Sequence, residues 1–166
     1  MLKRSKLARV GIKRASGSLG RKPIKKGATG QTSGNKRKPK TLSKYKKEFD
    51  AIFSKFIRIR DKDTCYTCGL VMEHNKSQNG HFVPRQYLAT RWDERNCNCQ
   101  CYACNILYNG QPSAYALQLE KQYGKGIVQE LESMRKTITK LKEPYYLENI
   151  AKYKALVVIH TQTLGQ

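Results

Sequence analysis

Four cysteines in two pairs, Cys65-Tyr66-Thr67-Cys68-Gly69 and Cys101-Tyr102-Ala103-Cys104-Asn105, carry the plainest chemistry in the chain. A Cys-x-x-Cys turn can aim both thiolates at one point, so two such turns can supply the tetrahedral shell of one zinc ion. Four thiolates leave zinc no open position, and the spacing therefore predicts a structural ion on which folding depends. Gly69, directly after Cys68, suits a tight knuckle that needs positive φ. Cys97 and Cys99 offer alternative ligands through Cys97-x-Cys99-x-Cys101. The ligand turn is defined by two intervening residues, however, and these thiols fall where a strand runs into the second knuckle. One is expected as a small buried apolar side chain and the other as an exposed thiol.

Between the pairs lie Gly80-His81-Phe82 and Asp93-Glu94-Arg95-Asn96. A lone histidine beside a strand is more often structural than catalytic. His81 stands apart through its setting, between two knuckles, beside a glycine that admits close backbone approach, in a strongly basic chain. A neutral imidazole near its ordinary pKa can take a proton from water, the general-base step of hydrolysis. His74 lies in a polar loop and His160 far along the chain, and neither has such a setting. Arg85, Arg91 and Arg95 can clamp phosphate, Trp92 is expected as a core anchor, and Tyr87, Tyr102 and Tyr108 could flank a groove.

The charge is uneven enough to name a partner class. Residues 1–47 hold 17 Lys and Arg and no acid, whereas the rest hold 16 against all 12 acids, for a net +21 over 166 residues. A long, wholly basic run attracts a polyanion, and nucleic acid leads. No apolar run is long enough to span a bilayer, and the basic N-terminus lacks the apolar region of a secretory signal, so no membrane role is expected. Without export, six cysteines read as metal ligands or free thiols in a reducing compartment.

The elements that must position these groups follow from the same residues. Residues 1–40 are rich in Lys, Arg, Gly and Ser, cannot bury enough apolar surface to offset ordering entropy, and are expected to be a disordered basic tail. Thr41 or Ser43 can cap a helix with Phe49, Ile52, Phe53, Phe56 and Ile57 on one stripe and Lys46, Lys47, Lys55, Arg58 and Arg60 outside it; Asp61-Lys62-Asp63 ends it. Leu70-Val71-Met72 reads as a short strand. Beyond the second knuckle, Pro112 starts a helix to about Tyr123 with Leu117 and Leu119 inward. A second is expected from Ile127 to about Leu141, broken by Pro144, and a third from Tyr145 to about Ile159. The last two could form an antiparallel hairpin or a homodimer interface.

Taken together, Arg58-Ile59-Arg60-Asp61, Cys65-x-x-Cys68-Gly69, Gly80-His81, Asp93-Glu94-Arg95-Asn96 and Cys101-x-x-Cys104-Asn105 resemble the NinG (Rap) family of lambda-type phage recombination proteins. They also resemble the zinc-supported HNH nucleases that share the ββα-metal finger. The resemblance covers roughly residues 50–140 and implies a small α+β fold. In it a ββα-metal zinc finger is flanked by an N-terminal helix and C-terminal helices, with residues 1–40 a tail, 41–142 the nuclease domain and 143–166 a C-terminal helix. It implies a metal-dependent, structure-specific DNA endonuclease acting on branched recombination intermediates such as a Holliday junction or D-loop, in the host-cell cytoplasm. His81 would be the general base, Asn96 the brace of the loop carrying it, and Asn105 a ligand of a catalytic Mg2+ or Mn2+. Cys65, Cys68, Cys101 and Cys104 would hold structural Zn2+. Gly80 stands where many relatives carry an Asp metal ligand, so Asp93, Glu94 or a backbone carbonyl must substitute, or substrate phosphate must hold the ion. The competing reading is a non-catalytic zinc-finger nucleic-acid-binding protein, which accounts for the tail and cysteines but not for Gly80-His81 with Asn96 and Asn105.

Overall fold

The computed structural model describes residues 41–164; the expected disordered tail over 1–40 lies outside the described residues. Helix α1 spans Leu42–Arg60 and buries Phe49, Phe53, Phe56 and Ile57 on the expected stripe. Thr41 caps it with its carbonyl, which accepts from the N–H of Lys44 and Tyr45 at 2.8 and 3.2 Å. The chain leaves the helix through Lys62 and Asp63, both in the left-handed region at φ 51° and 50°. Leu70–Met72 does not form the expected strand; only a single bridge joins Thr64 to Val71.

Two short strands, β1 (Gln78–His81) and β2 (Cys97–Gln100), pair antiparallel with His81 opposite Cys97 and Gln78 opposite Gln100. Alternation along a strand sends Asn79, His81, Cys97 and Cys99 to one face and Gln78, Gly80, Asn98 and Gln100 to the other. The first face meets α1. The second meets α2 (Pro112–Tyr123), where the Tyr115 hydroxyl donates to the carbonyls of Asn96 (3.1 Å) and Gly80 (3.4 Å) and Asn98 Nδ2 donates back to it (3.1 Å). A π-helical segment, Ala103–Leu107, links β2 to α2, and α3 (Ile127–Met134) and α4 (Glu143–Leu164) follow.

Each face has its own apolar core. On the α1 side, Phe49 stacks on Trp92 at 4.6 Å, and Tyr153 of α4 meets Phe53 and Phe56 edge-on at 4.9 and 5.0 Å. On the α2 side, Val83, Tyr115, Leu119, Ile127 and Leu131 pack together. Trp92 is thus a core anchor, as its sequence context suggests.

Four expectations about the helices need correction. In α2 the inward pair is Tyr115 and Leu119, while Leu117 is 69% exposed; residues two apart on a helix face nearly opposite ways, and those four apart share a face. Helix α3 stops at Met134, not near Leu141, where the N–H groups of Arg135, Lys136 and Thr137 tighten into bonds to the third residue back. Its buried stripe ends with Leu131, and the β-branched run Thr137-Ile138-Thr139 adds little helix propensity. Pro144 does not break that helix but sits in the first turn of α4, where its missing N–H costs nothing. Helices α3 and α4 form no hairpin with each other. Tyr146, Ile150, Tyr153 and Val157 of α4 join the α1 aromatics in one core, and α3 packs with α2 in the other.

Among the described residues, no helix is long and apolar enough to cross a membrane. Because Phe53 is buried between α1 and α4, Phe53→Ala is expected to lower unfolding free energy by about 3–5 kcal/mol. Denaturant titration checks this, and a change below about 1 kcal/mol would contradict the α1–α4 core.

Candidate active site and metal centre

The four sulfurs of Cys65, Cys68, Cys101 and Cys104 lie within 4.8 Å of one another, with Cys68 and Cys101 at 3.9 Å. A tetrahedral ion with metal–sulfur bonds of about 2.3 Å sets sulfur–sulfur edges of about 3.8 Å, so the cluster can hold a metal such as zinc with little adjustment. Local backbone shapes it. Gly69, at φ 75°, lets its N–H donate to Cys65 O (2.8 Å), and the Cys104 N–H donates to Cys101 Sγ (3.4 Å). Burial raises the Cys65 thiol, but Thr67 Oγ1 at 3.3 Å and backbone donors outweigh it and hold the group at about 6. Burial pushes Cys104 up to about 12. Thiols with such unequal affinities for protons in one cluster suit a cation that displaces protons from all of them.

Cys97 and Cys99 stay outside the cluster, but the expectation of one exposed thiol fails: both are fully buried on the α1 face of β2. The reason is register. Two residues apart on a strand, they share a face, so one cannot be buried there and the other exposed.

The chain between helix and knuckle ties this cluster to the hairpin. Asp61 Oδ2 accepts from the Cys99 N–H at 2.7 Å, and the Tyr66 N–H donates to Cys99 O at 2.7 Å, closing the free edge of β2. Arg60, grouped by sequence with the basic outer face of α1, instead turns inward. It donates to Asp61, to the Cys97 and Glu94 carbonyls, and to Asn98 Oδ1. His74 pairs with Asp63 at 2.8 Å, and Ser77 Oγ donates to the same carboxylate, so His74 braces this loop.

His81 stands at the end of β1, half-buried, on the wall of a cavity of about 300 Å3 also lined by Arg58, Asn79, Arg85, Asp50 and Arg91. Its Nε2 lies 3.1 Å from the Arg91 carbonyl. A carbonyl only accepts, so Nε2 carries the hydrogen, and in that tautomer Nδ1 keeps the lone pair. Burial pushes the imidazole below its ordinary 6.5, and the Arg91 and Arg85 charges push the same way against the pull of the Arg91 carbonyl and the Asn79 backbone. His81 is therefore neutral near pH 7, the form that accepts a proton.

Asn96 is fully buried beneath the loop that follows His81. Its Nδ2 donates to Val83 O and Thr90 O at 3.0 Å each, and its Oδ1 accepts from the Val83 N–H at 2.7 Å. One side chain thus fixes both arms of the loop. Asn105 lies on the opposite face of the hairpin from His81, where its Nδ2 donates to Gln78 Oε1 at 2.7 Å. Gln78 also lines the His81 cavity, so Asn105 reaches that cavity through Gln78 and not directly.

The other residues read as candidates are mostly engaged elsewhere. Asp93 pairs with Arg95, Glu94 accepts from Tyr153, and neither carboxylate lines the cavity. Arg91 is nearly buried and bidentate on Asp50 (2.8 and 2.6 Å), and Arg95 is shared between Asp93 and Glu130. Of the three arginines, only Arg85 is left exposed at the cavity with no side-chain partner among the described residues. Tyr102 and Tyr108 are exposed, while Tyr87 lies under the Arg135 guanidinium at 4.8 Å. Asp50, Gln78 and Gln100 carried no sequence signal; cross-strand register alone could have paired the two glutamines.

Gly80 has its own constraint. A Cβ there would lie 2.7 and 2.9 Å from Gln100 Cδ and Cγ and nearer still to Oε1. A carboxylate at this position is therefore blocked by a buried glutamine, whose Nε2 is held by Thr67 Oγ1 and Gly110 O.

Two outcomes follow. Purified protein is expected to carry about one zinc per chain, and Cys68→Ser and Cys104→Ser each to lower it, measured by atomic emission; full zinc in both variants would remove the sulfur site. Gly80→Ala is expected to cost about 1–3 kcal/mol of stability in denaturant titration. Adding Gln100→Ala should recover part of that loss, and strict additivity would contradict the contact.

Residues 3–161 match the family model described as Bacteriophage Lambda NinG protein. Curated relatives include Protein ninG of Escherichia phage 933W, 30% identical over 95 residues (57% of this chain, 47% of the relative). Protein ninG of Salmonella phage P22 is 31% identical over 98 residues (58% and 48%), and that of Escherichia phage lambda 30% over 95 (57% and 47%). The chain spans about half the length of these relatives. No solved structure matches. A paired-cysteine cluster around a braced Gly-His loop, and a family match along nearly the whole chain, lead to one assignment: the chain belongs to the NinG family of lambda-type phage proteins.

Proposed function

We propose that this chain is a metal-dependent DNA endonuclease that acts on branched recombination intermediates, with β1, β2 and the π-helical segment after them serving as a zinc-supported ββα-metal finger. The observation that carries the reading is His81. It is a neutral imidazole with Nε2 tied to the Arg91 carbonyl and the lone pair left on Nδ1, on the wall of a cavity with Arg58 and Arg85. That is what a general base for phosphodiester hydrolysis requires.

In this reading Nδ1 takes a proton from water, and the oxygen so freed attacks phosphorus. The bond from phosphorus to the 3′ oxygen breaks, the departing oxygen takes a proton from solvent, and the products are a 5′-phosphate and a 3′-hydroxyl. Arg85 offsets charge on the non-bridging oxygens. Asn96 acts one step removed, keeping the loop after His81 and the Arg91 carbonyl in register. A divalent ion such as Mg2+ or Mn2+, when bound, would supply charge neutralisation on the phosphate and stabilise the leaving oxygen. Gln78, on the cavity wall, would hold it through its amide oxygen, and Asn105, bonded to that oxygen from the other face of the hairpin, would orient it. With the cavity's carboxylate, Asp50, engaged by Arg91, that donor set suits an ion bound chiefly through substrate phosphate, so Mn2+ should bind weakly to free protein and more tightly once uncleavable DNA is added.

His81→Ala is expected to abolish divalent-dependent nicking of a synthetic junction set while leaving DNA affinity within about twofold. Equal cleavage by that variant would remove His81 from the mechanism. Because the base must be deprotonated and burial lowers its pKa, kcat/KM should rise with pH to a plateau, with a midpoint below 6.5. Binding of every DNA with no divalent-dependent cleavage of any would favour a non-catalytic zinc-finger protein.

A further inference from the structure

Helix α1 has a second stripe besides its buried one. Ser43, Lys46, Lys47, Asp50, Ser54 and Arg58 recur at three- and four-residue steps and face outward beside the hairpin. Ser43, Lys46, Lys47, Asp50 and Ser54 line a depression of about 590 Å3, and Asp50, Ser54, Arg85 and Arg91 line both this depression and the His81 cavity. The two are one continuous groove with Arg85 at the junction.

Its charge is one-sided. The single carboxylate in the groove, Asp50, is neutralised by the bidentate Arg91 and also accepts from Trp92 Nε1 at 3.0 Å. Lys46, Lys47 and Arg85 have no side-chain partner among the described residues. Arg58 spends only Nε and Nη1, on the Ser54 and His74 carbonyls. Two exposed lysines elsewhere, Lys154 and Lys76, are by contrast paired with Glu48 and Glu73. From Lys47 to Arg58 the helix rises about 16 Å, roughly five nucleotide steps of one strand.

We infer that this groove is the track of a DNA strand, with Lys46 and Lys47 gripping backbone phosphates on one side of the phosphate presented to His81 and Arg85 at the junction. The track rests on the nucleic-acid reading above but not on catalysis. It gives the substrate a path over the protein, along α1 to the hairpin.

The test uses the full chain carrying His81→Ala, so that binding is read without cleavage. Lys46→Glu with Lys47→Glu is compared with Lys121→Glu with Lys125→Glu, an equal charge change on exposed residues at the end of α2 and just beyond it. The groove pair is expected to weaken duplex and junction binding at least tenfold and to flatten the salt dependence of log K by about 2, one per phosphate contact removed. The control pair should change the slope by less than about 0.5. Equal losses in both would overturn the track and leave only a general basic field. As a second measurement, acetylation of wild-type protein with and without DNA, read by mass spectrometry, should protect Lys46 and Lys47 but not Lys121 or Lys125. Equal protection would overturn the inference. Loss of nicking activity from wild type, with this binding pattern intact, would count against the nuclease reading alone.

Discussion

Two turns 33 residues apart converge their sulfurs, and most of the hairpin's geometry depends on that convergence. Around them only Met72 and Ala103 add apolar packing, while Leu70 and Val71 point to solvent. A cluster so poor in buried carbon cannot by itself offset the entropy of closing the intervening loop. A metal bound by four thiolates can, because its ligand bonds form only when both turns are in place. The hydrogen bonds of Asp61 and Tyr66 to Cys99 then carry the same constraint from the knuckle to the edge of β2.

The hairpin held in this way has two faces with different work. The face toward α2 is closed. Gly80 lies against a fully buried Gln100, and Tyr115 satisfies the carbonyls of Gly80 and Asn96. The face toward α1 is partly open and carries His81 at the rim of a cationic cavity. An imidazole there is desolvated enough to stay neutral yet reachable by a water. The ion pair of Asp50 with Arg91 links the two sides of the cavity, and the Arg91 carbonyl sets the tautomer of His81, so one residue contributes through both its backbone and its side chain.

Membership of the NinG family, across residues 3–161, agrees with the motif grammar of the paired cysteines, Gly80-His81 and Asn96. These were legible because each rests on local spacing: two intervening residues for a ligand turn, a glycine beside a strand-end histidine. The buried stripe of α1 was legible for the same reason, a period of three and four. The inward residues of α2 and the end of α3 were misjudged, since which apolar residues are buried there depends on Tyr115 and Leu131 meeting across helices. Arg60 was read as part of a basic outer face and Arg91 and Arg95 as phosphate clamps, and each found a carboxylate or carbonyl elsewhere in the fold.

The sequence alone determined the four-thiol site, the candidate base and the concentration of positive charge in residues 1–47, because composition and short spacing suffice for those. Only the tertiary structure decided that Gln100 occupies the space beside Gly80, that Asn105 bonds to Gln78, and that Asp50 silences Arg91 and leaves Arg85 free. Those outcomes depend on contacts between residues tens of positions apart, and no local pattern encodes which distant partner will neutralise a charge or fill a gap.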